Sequence, residues 1–273
     1  MIECGECNFG ELLKNRKLAG DRVELMKPLR DIAMFVQHLH DNNIVHCDIK
    51  PQNVVRMASG DIKGIDLDGA VCEGDDTTEQ CVRVMFGCKV SSAFVPPECI
   101  ASEGKKFWIP RDNDPKCKKA HRTMDIWQYG VLLYRAMHPT GHDLFNANGH
   151  DNLKEEQRDL NKIAEWTENV KNQKLREVKN GEAQALLRKI LCKDPKDRLQ
   201  TVTEVLEHGT FEGKFASAHT SAGALMEGRG SDPATTELVL NRNISLSPSL
   251  SLSLSSLSFS SPPSRRHTNF GVF

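Results

Sequence analysis

Residues 125–137 read Asp-Ile-Trp-Gln-Tyr-Gly-Val-Leu-Leu-Tyr-Arg-Ala-Met, and they limit the fold more than any other stretch. On a helix, Ile126, Trp127, Tyr129, Val131, Leu132, Leu133, Tyr134 and Met137 lie around most of the circumference. A helix that is apolar on all sides needs other elements packed around it. At about 1.5 Å per residue it is too short for the ~30 Å of a bilayer core. Nor does any other stretch approach the ~18 uninterrupted apolar residues of a membrane helix. This helix is therefore expected to be the axis of a globular body, and the flanking sequence must supply that body.

Much of the supply is helical. From Asp21 to His40, apolar side chains recur at Val23, Met26, Leu29, Ile32, Ala33, Val36 and Leu39, steps of three and four that predict an amphipathic helix. Further helices are predicted near 152–167, 182–192 and 202–208. The last opens with Thr201-Val-Thr-Glu204, the pattern of a capping box. Leu12-Leu13 suggest one helical turn within a glycine-broken start. Short apolar runs at Ile44-Val45, Val54-Val55 and Ile62–Ile65 predict short strands, with a turn at 58–61. Residues 66–98, with Gly74, Gly87 and Pro96-Pro97, show no period and are expected to form a long loop; 99–124 are lysine-rich and irregular. The fold class is thus mainly α with a few short β-strands, in one domain over 1–212. A domain of that size removes roughly two thirds of its unfolded-chain surface from water. Beyond it, residues 244–264 hold no charge and are mostly Ser and Leu, with Pro248, Pro262 and Pro263. That composition predicts a low-complexity, disordered C-terminal tail over 213–273.

With 36 Lys+Arg against 37 Asp+Glu, the chain lacks the basic excess that general nucleic-acid binding needs. No membrane association is expected, and the N-terminus lacks the basic start and apolar run of a signal peptide. Nine scattered cysteines, an odd number, argue for reduced thiols rather than a secreted disulfide framework. The single Cys4-x-x-Cys7 pair has no second pair to complete a zinc site. These features suggest an intracellular protein, in the cytoplasm, with the nucleus left open.

The chemistry concentrates in Ile44-Val-His-Cys-Asp-Ile-Lys-Pro-Gln-Asn-Val-Val55. Asp48, Lys50 and Asn53 form a polar cluster between two apolar runs, and Asp66 follows the apolar Ile65 eighteen residues after Asp48. Two carboxylates and an amide oxygen suit a hard cation such as Mg²⁺. A lysine beside a carboxylate suits a developing phosphoryl charge. No His/Cys cluster competes for a softer metal.

Here the sequence resembles the eukaryotic protein kinase family, Ser/Thr type. His46-Cys47-Asp48 with Lys50 and Asn53 is similar to its H-R-D-x-K-x-x-N catalytic loop. Lys63-Gly-Ile-Asp66-Leu67-Asp68 is similar to the strand running into D-F-G, and Val95-Pro-Pro-Glu98 to the A-P-E that ends the activation segment. Asp125-Ile-Trp-Gln-Tyr-Gly130 resembles D-x-W-x-x-G, and Asp194-Pro-Lys-Asp-Arg198 resembles D-P-x-x-R. Five motifs in order imply a kinase-like helical C-lobe.

The resemblance implies transfer of the ATP γ-phosphoryl to Ser/Thr hydroxyls of a protein substrate, with ATP and Mg²⁺ as cofactors. Asp48 would orient or deprotonate the accepting hydroxyl, and Lys50 would contact the transferring phosphate. Ser91 matches the Thr that steadies both. Asn53 and Asp66 would hold Mg²⁺, Val55 would lie under adenine, and His46 would pack the loop. Glu98 and Arg198 would form a buried ion pair. Three departures stand out. Cys47 replaces the Arg that grips an activation-loop phosphate, leaving Thr77, Thr78 and Ser92 as phosphosites without that partner. Gln52 replaces a common Glu. Asp68 replaces the Gly of D-F-G, a backbone cost. The five lysines at 105, 106, 116, 118 and 119 are expected to form a solvated loop. No G-x-G-x-x-G loop or V-A-I-K lysine is seen, which implies a truncated domain with its small N-lobe missing and little phosphotransfer by 1–273 alone. A catalytically inactive, kinase-like binding module is the alternative.

Overall fold

In a computed structural model, residues 5–14, 22–73, 91–110, 114–116 and 118–211 are described; the tail expectation for 213–273 lies outside them. The all-round apolar segment forms helix α3, Arg122–Met137, in which every side chain but Arg122 and Arg135 is buried. It starts three residues before the apolar pattern does. His121 caps it, its ring accepting from the Thr123 N–H at 3.3 Å. Packing against α6 (Gly181–Ile190) is close at Gly130, where an added Cβ would meet Ile190 Cγ2 at 2.4 Å and Leu191 Cδ2 at 2.9 Å. Helix α2 spans Met26–Asp41 after a one-turn 3-10 helix at Arg22–Leu25. It buries Leu29, Ile32, Ala33, Val36 and Leu39, the stripe its spacing predicts. The Tyr129 hydroxyl of α3 donates to the Leu29 carbonyl of α2 at 3.0 Å, and burial pushes that phenol's pKa up.

The strands are short. β1 (Gly5–Asn8), β3 (Val54–Met57) and β4 (Ile62–Gly64) form an antiparallel sheet in the order β1-β3-β4. Asn8 lies opposite Val55, and Val55 opposite Lys63. Helix α1, Phe9–Lys14, follows β1 directly. β2 (Ile44–Val45) pairs with β5 (Val71–Cys72), so the region expected to be loop holds a strand partner. The lysine-rich stretch also departs from expectation. It contains a hairpin, β6 (Ala101–Glu103) and β7 (Lys106–Trp108), turned at Gly104 with φ +59°. That left-handed angle suits glycine, which has no Cβ to clash.

The C-terminal helices are α4 (Glu156–Ala164), α5 (Glu168–Leu175), α6 and α7 (Val202–Leu206). Three match predicted helices to within four residues at each end, α6 starting one residue earlier than expected, and α5 lies where no helix is expected. Thr201 and Glu204 make the expected reciprocal cap of α7. Trp127, Phe145 and Trp166 pack edge-on and stacked in the core, and Trp166 Nε1 donates to the Leu191 carbonyl at 2.8 Å. Among the described residues, no helix is long and apolar enough to cross a membrane.

Candidate active site

The loop between β2 and β3 is held from below by side chains of α3. Asp125 is fully buried, and its carboxylate accepts from the His46 and Cys47 N–H groups, both at 2.8 Å. It also bonds His40 Nε2 of α2 at 2.9 Å. One turn on, Gln128 Oε1 accepts from the Ile49 N–H at 2.8 Å while its Nε2 donates to the Cys47 carbonyl at 2.7 Å. Residues three apart share a helix face, so one face of α3 grips four backbone groups of the loop. The grip fixes Cys47 at φ +67°, a conformation L-residues rarely take. That kink turns the chain so that Asp48 follows. His46 is buried, edge-on to Phe35, and its Nδ1 accepts from the Asp48 N–H at 3.3 Å.

Four of the expected residues converge here. Lys50 Nζ donates to Asp48 Oδ2 at 2.6 Å and to Ser91 Oγ at 2.8 Å. The Ser91 N–H donates to Asp48 Oδ1 at 3.3 Å. Asn53 Nδ2 donates to both the Asp48 carbonyl and Oδ2, each at 3.0 Å. Asp48 and Lys50 side chains keep 15% and 12% exposure, so a carboxylate and an ammonium face solvent side by side.

Asp66 is tied to this cluster through the main chain, because the Ile65 N–H donates to the Asn53 carbonyl at 2.9 Å. Its side chain is exposed and its φ is +64°. The backbone cost expected at Asp68 thus falls on Asp66 instead, since Asp68 is not among the positive-φ residues. The Asn53 amide nitrogen is spent on Asp48, and among the described residues no bond engages its Oδ1. An amide oxygen and an exposed carboxylate are hard donors, which fits Mg²⁺. Val55, partly buried on β3, packs under β1, where a Cβ added to Gly5 would lie 3.1 Å from its own.

A second wall comes from residues 148–153. Asn152 Oδ1 accepts from the Ser92 N–H at 3.1 Å, the Leu153 N–H donates to Ser92 Oγ at 2.9 Å, and the Ala93 N–H donates to the Asp151 carbonyl at 3.3 Å. Ser92 is buried with its hydroxyl engaged, so it does not stand out as a phosphosite. Thr77 and Thr78 lie outside the described residues. Gln52 Nε2 donates to the Gly149 carbonyl at 2.8 Å. Burial raises the Asp151 carboxyl above the usual range, against the pull of Arg135, which bonds it at 3.0 Å.

Glu98 and Arg198 form a two-pronged pair, both contacts at 2.6 Å. Arg198 is fully buried and spends its remaining donors on the Cys192, Thr123 and Lys193 carbonyls, with its guanidinium over the Trp127 ring. The pairing expected from sequence is therefore present, with a support that sequence did not indicate. Gln128 and His40 were also missed. Both act on backbone groups or partners about 80 residues away, and neither belongs to a spacing pattern. Among the described residues, no group of three or more His, Cys, Asp or Glu side chains is placed to hold a metal.

Comparison with known proteins gives a consistent outcome. The family model described as protein kinase domain matches residues 1–211. The serine/threonine-protein kinase mph1 of Schizosaccharomyces pombe is 30% identical over 139 residues, 50% of this chain and 19% of that protein. The serine/threonine-protein kinase MPS1 of Encephalitozoon cuniculi is 24% identical over 223 residues, 79% of this chain and 31% of that protein. The RAC-beta serine/threonine-protein kinase B of Xenopus laevis is 28% identical over 207 residues, 74% of this chain and 36% of that protein. The matched part of this chain thus spans between 19% and 36% of these three relatives.

Proposed function

Because the chain belongs to the protein kinase family, we propose that it serves a protein that transfers the γ-phosphoryl group of ATP to Ser or Thr hydroxyls of a protein substrate. The observation that carries this reading is the Asp48–Lys50–Asn53–Ser91 cluster, in which one carboxylate is shared by an ammonium, an amide and a main-chain N–H. Phosphoryl transfer asks little covalent chemistry of the protein and depends on positioning and charge. Three donors fix the Asp48 carboxylate, which still has lone-pair capacity for the incoming hydroxyl. The substrate oxygen bonds to the γ-phosphorus as its proton goes to Asp48, and the bond to the ADP oxygen breaks. Lys50, oriented by Ser91, offsets the negative charge on the transferring group. Asn53 Oδ1 and Asp66 would hold Mg²⁺, which when bound neutralises the nucleotide phosphates. Val55 would lie under the adenine.

The test is phosphotransfer from Mg-ATP to a generic protein substrate by the full-length protein, alongside Asp48→Asn and Asp66→Asn. Losing one preorganised charge-stabilising group typically costs about 10²–10³ in rate. Both variants should lose at least that much while keeping the wild-type circular dichroism spectrum. Activity within a few-fold of wild type in Asp48→Asn would overturn the assignment.

A further inference from the structure

Glu73 lies outside the cluster just described, yet it is bound through both its main chain and its carboxylate. Its N–H donates to the Asn43 carbonyl at 2.7 Å, extending the β2–β5 pairing by one rung. Its carboxylate accepts from the Arg122 N–H at 2.9 Å and from Arg122 Nε at 2.6 Å, and it also pairs with Arg122 NH2. His121 Nε2 stands 3.7 Å away. Arg122 is the first residue of α3, where N–H groups lack partners within the helix. A carboxylate there satisfies one of them and sits at the favourable end of the helix dipole.

The consequence follows from what else α3 holds. Asp125 and Gln128, on the next two turns, carry the backbone of His46, Cys47 and Ile49. β2 runs directly into that loop, and β5 fastens β2. Glu73 closes the circuit from β5 back to the start of α3. The loop that presents Asp48 is thus attached to one rigid helix twice, through its own backbone and through its flanking strand pair.

We propose that Glu73 is a positioning residue for the catalytic loop, a carboxylate that fastens the strand entering segment 74–90 to the start of α3 and through it sets Asp48. This deepens the kinase reading and rests on it. With Glu98–Arg198 after the segment and Glu73–Arg122 before it, carboxylate–arginine clamps stand at both ends.

The experiment uses the full-length protein with Glu73→Gln, Arg122→Gln and their double variant. Glu73→Gln and Arg122→Gln should each lower kcat about ten-fold with KM for ATP unchanged, and the double variant should be no worse than either single one. Hydrogen exchange should speed up at the amides of 44–48 and 71–73 while those of α6 keep wild-type protection. Wild-type kcat in the Glu73 variant, or exchange accelerated equally in α6, would overturn the positioning role. If wild type transfers no phosphate at all, the kinase reading fails, and the exchange pattern still decides whether Glu73 holds the loop.

Discussion

Removing the Asp125 carboxylate should damage this protein more than removing any residue that faces the proposed substrate. Three buried donors depend on it: the His46 and Cys47 N–H groups and His40 Nε2, at 2.8, 2.8 and 2.9 Å. A buried donor left without an acceptor costs about 1–3 kcal/mol, more toward the upper end where the lost acceptor was charged. Asp125→Ala orphans all three, for a loss of about 4–6 kcal/mol after relaxation. That is close to the whole stability of many domains, about 5–15 kcal/mol. Asp125→Asn keeps the shape and one acceptor oxygen but turns an NH₂ toward a donor, and about 2–4 kcal/mol is expected. Urea unfolding followed by circular dichroism measures this. With a slope near ~2 kcal/mol per molar, the midpoint of Asp125→Asn should fall by roughly 1–2 M at unchanged slope. Cys47 at φ +67° should also lose its support, so the His46 and Cys47 amides should exchange faster than those of α6. A midpoint shift below about 0.3 M, small against that slope, would refute the claim that α3 carries the loop.

Arg198→Met should cost about 3–5 kcal/mol, the usual penalty for stranding one member of a buried pair, because Glu98 keeps only 15% exposure; a shift in Tm of less than 2 °C, small against the usual scale, would contradict this. Gly130→Ala should destabilise by about 1–3 kcal/mol through overpacking, since its Cβ would lie 2.4 Å from Ile190 Cγ2; neutral behaviour in thermal melts would show that α3 and α6 can part at no cost. Asp159 provides a pH test. Burial opposes its charge, but hydrogen bonds from Lys162, the Glu155 N–H and Asn146, together with the Lys162 charge, hold its carboxyl below the usual value. The stability it contributes is therefore complete above its unfolded pKa of 3.8 and is lost as pH falls through the lower folded value. Asp159→Asn should accordingly lower stability at pH 7 but flatten the acid limb, which urea midpoints across pH 2–7 would reveal.

Local and repetitive features were legible in the sequence. The all-round apolar stretch could only be a central helix, and α3 is one. Leu29, Ile32, Ala33, Val36 and Leu39 announced their own buried face through their spacing. Thr201 and Glu204 announced a cap because both partners lie within one turn. The residues Asp48, Lys50, Asn53 and Ser91 were legible as a set because the motif fixes their order, even though Ser91 lies 41 residues beyond Lys50.

What sequence left open was decided by long-range contacts. α5 carries Val170 and Leu175 among polar residues and has no apolar stripe; its Thr167 cap and the packing of Leu175 make it a helix. The lysines at 105 and 106 read as loop, yet strand pairing needs only backbone partners and a glycine turn, and β6 and β7 supply each other. The positive φ at Cys47 is not a preference of that residue, whereas aspartate takes such an angle, as at Asp66, more readily than most. At Cys47 the conformation is imposed by Asp125 and Gln128, hydrogen-bonding main-chain groups 78 and 81 positions away. A side chain's reach to a distant backbone leaves no period and no composition bias in the chain, so the grip on Asp48 and the Glu73 clamp exist only once the helices have packed.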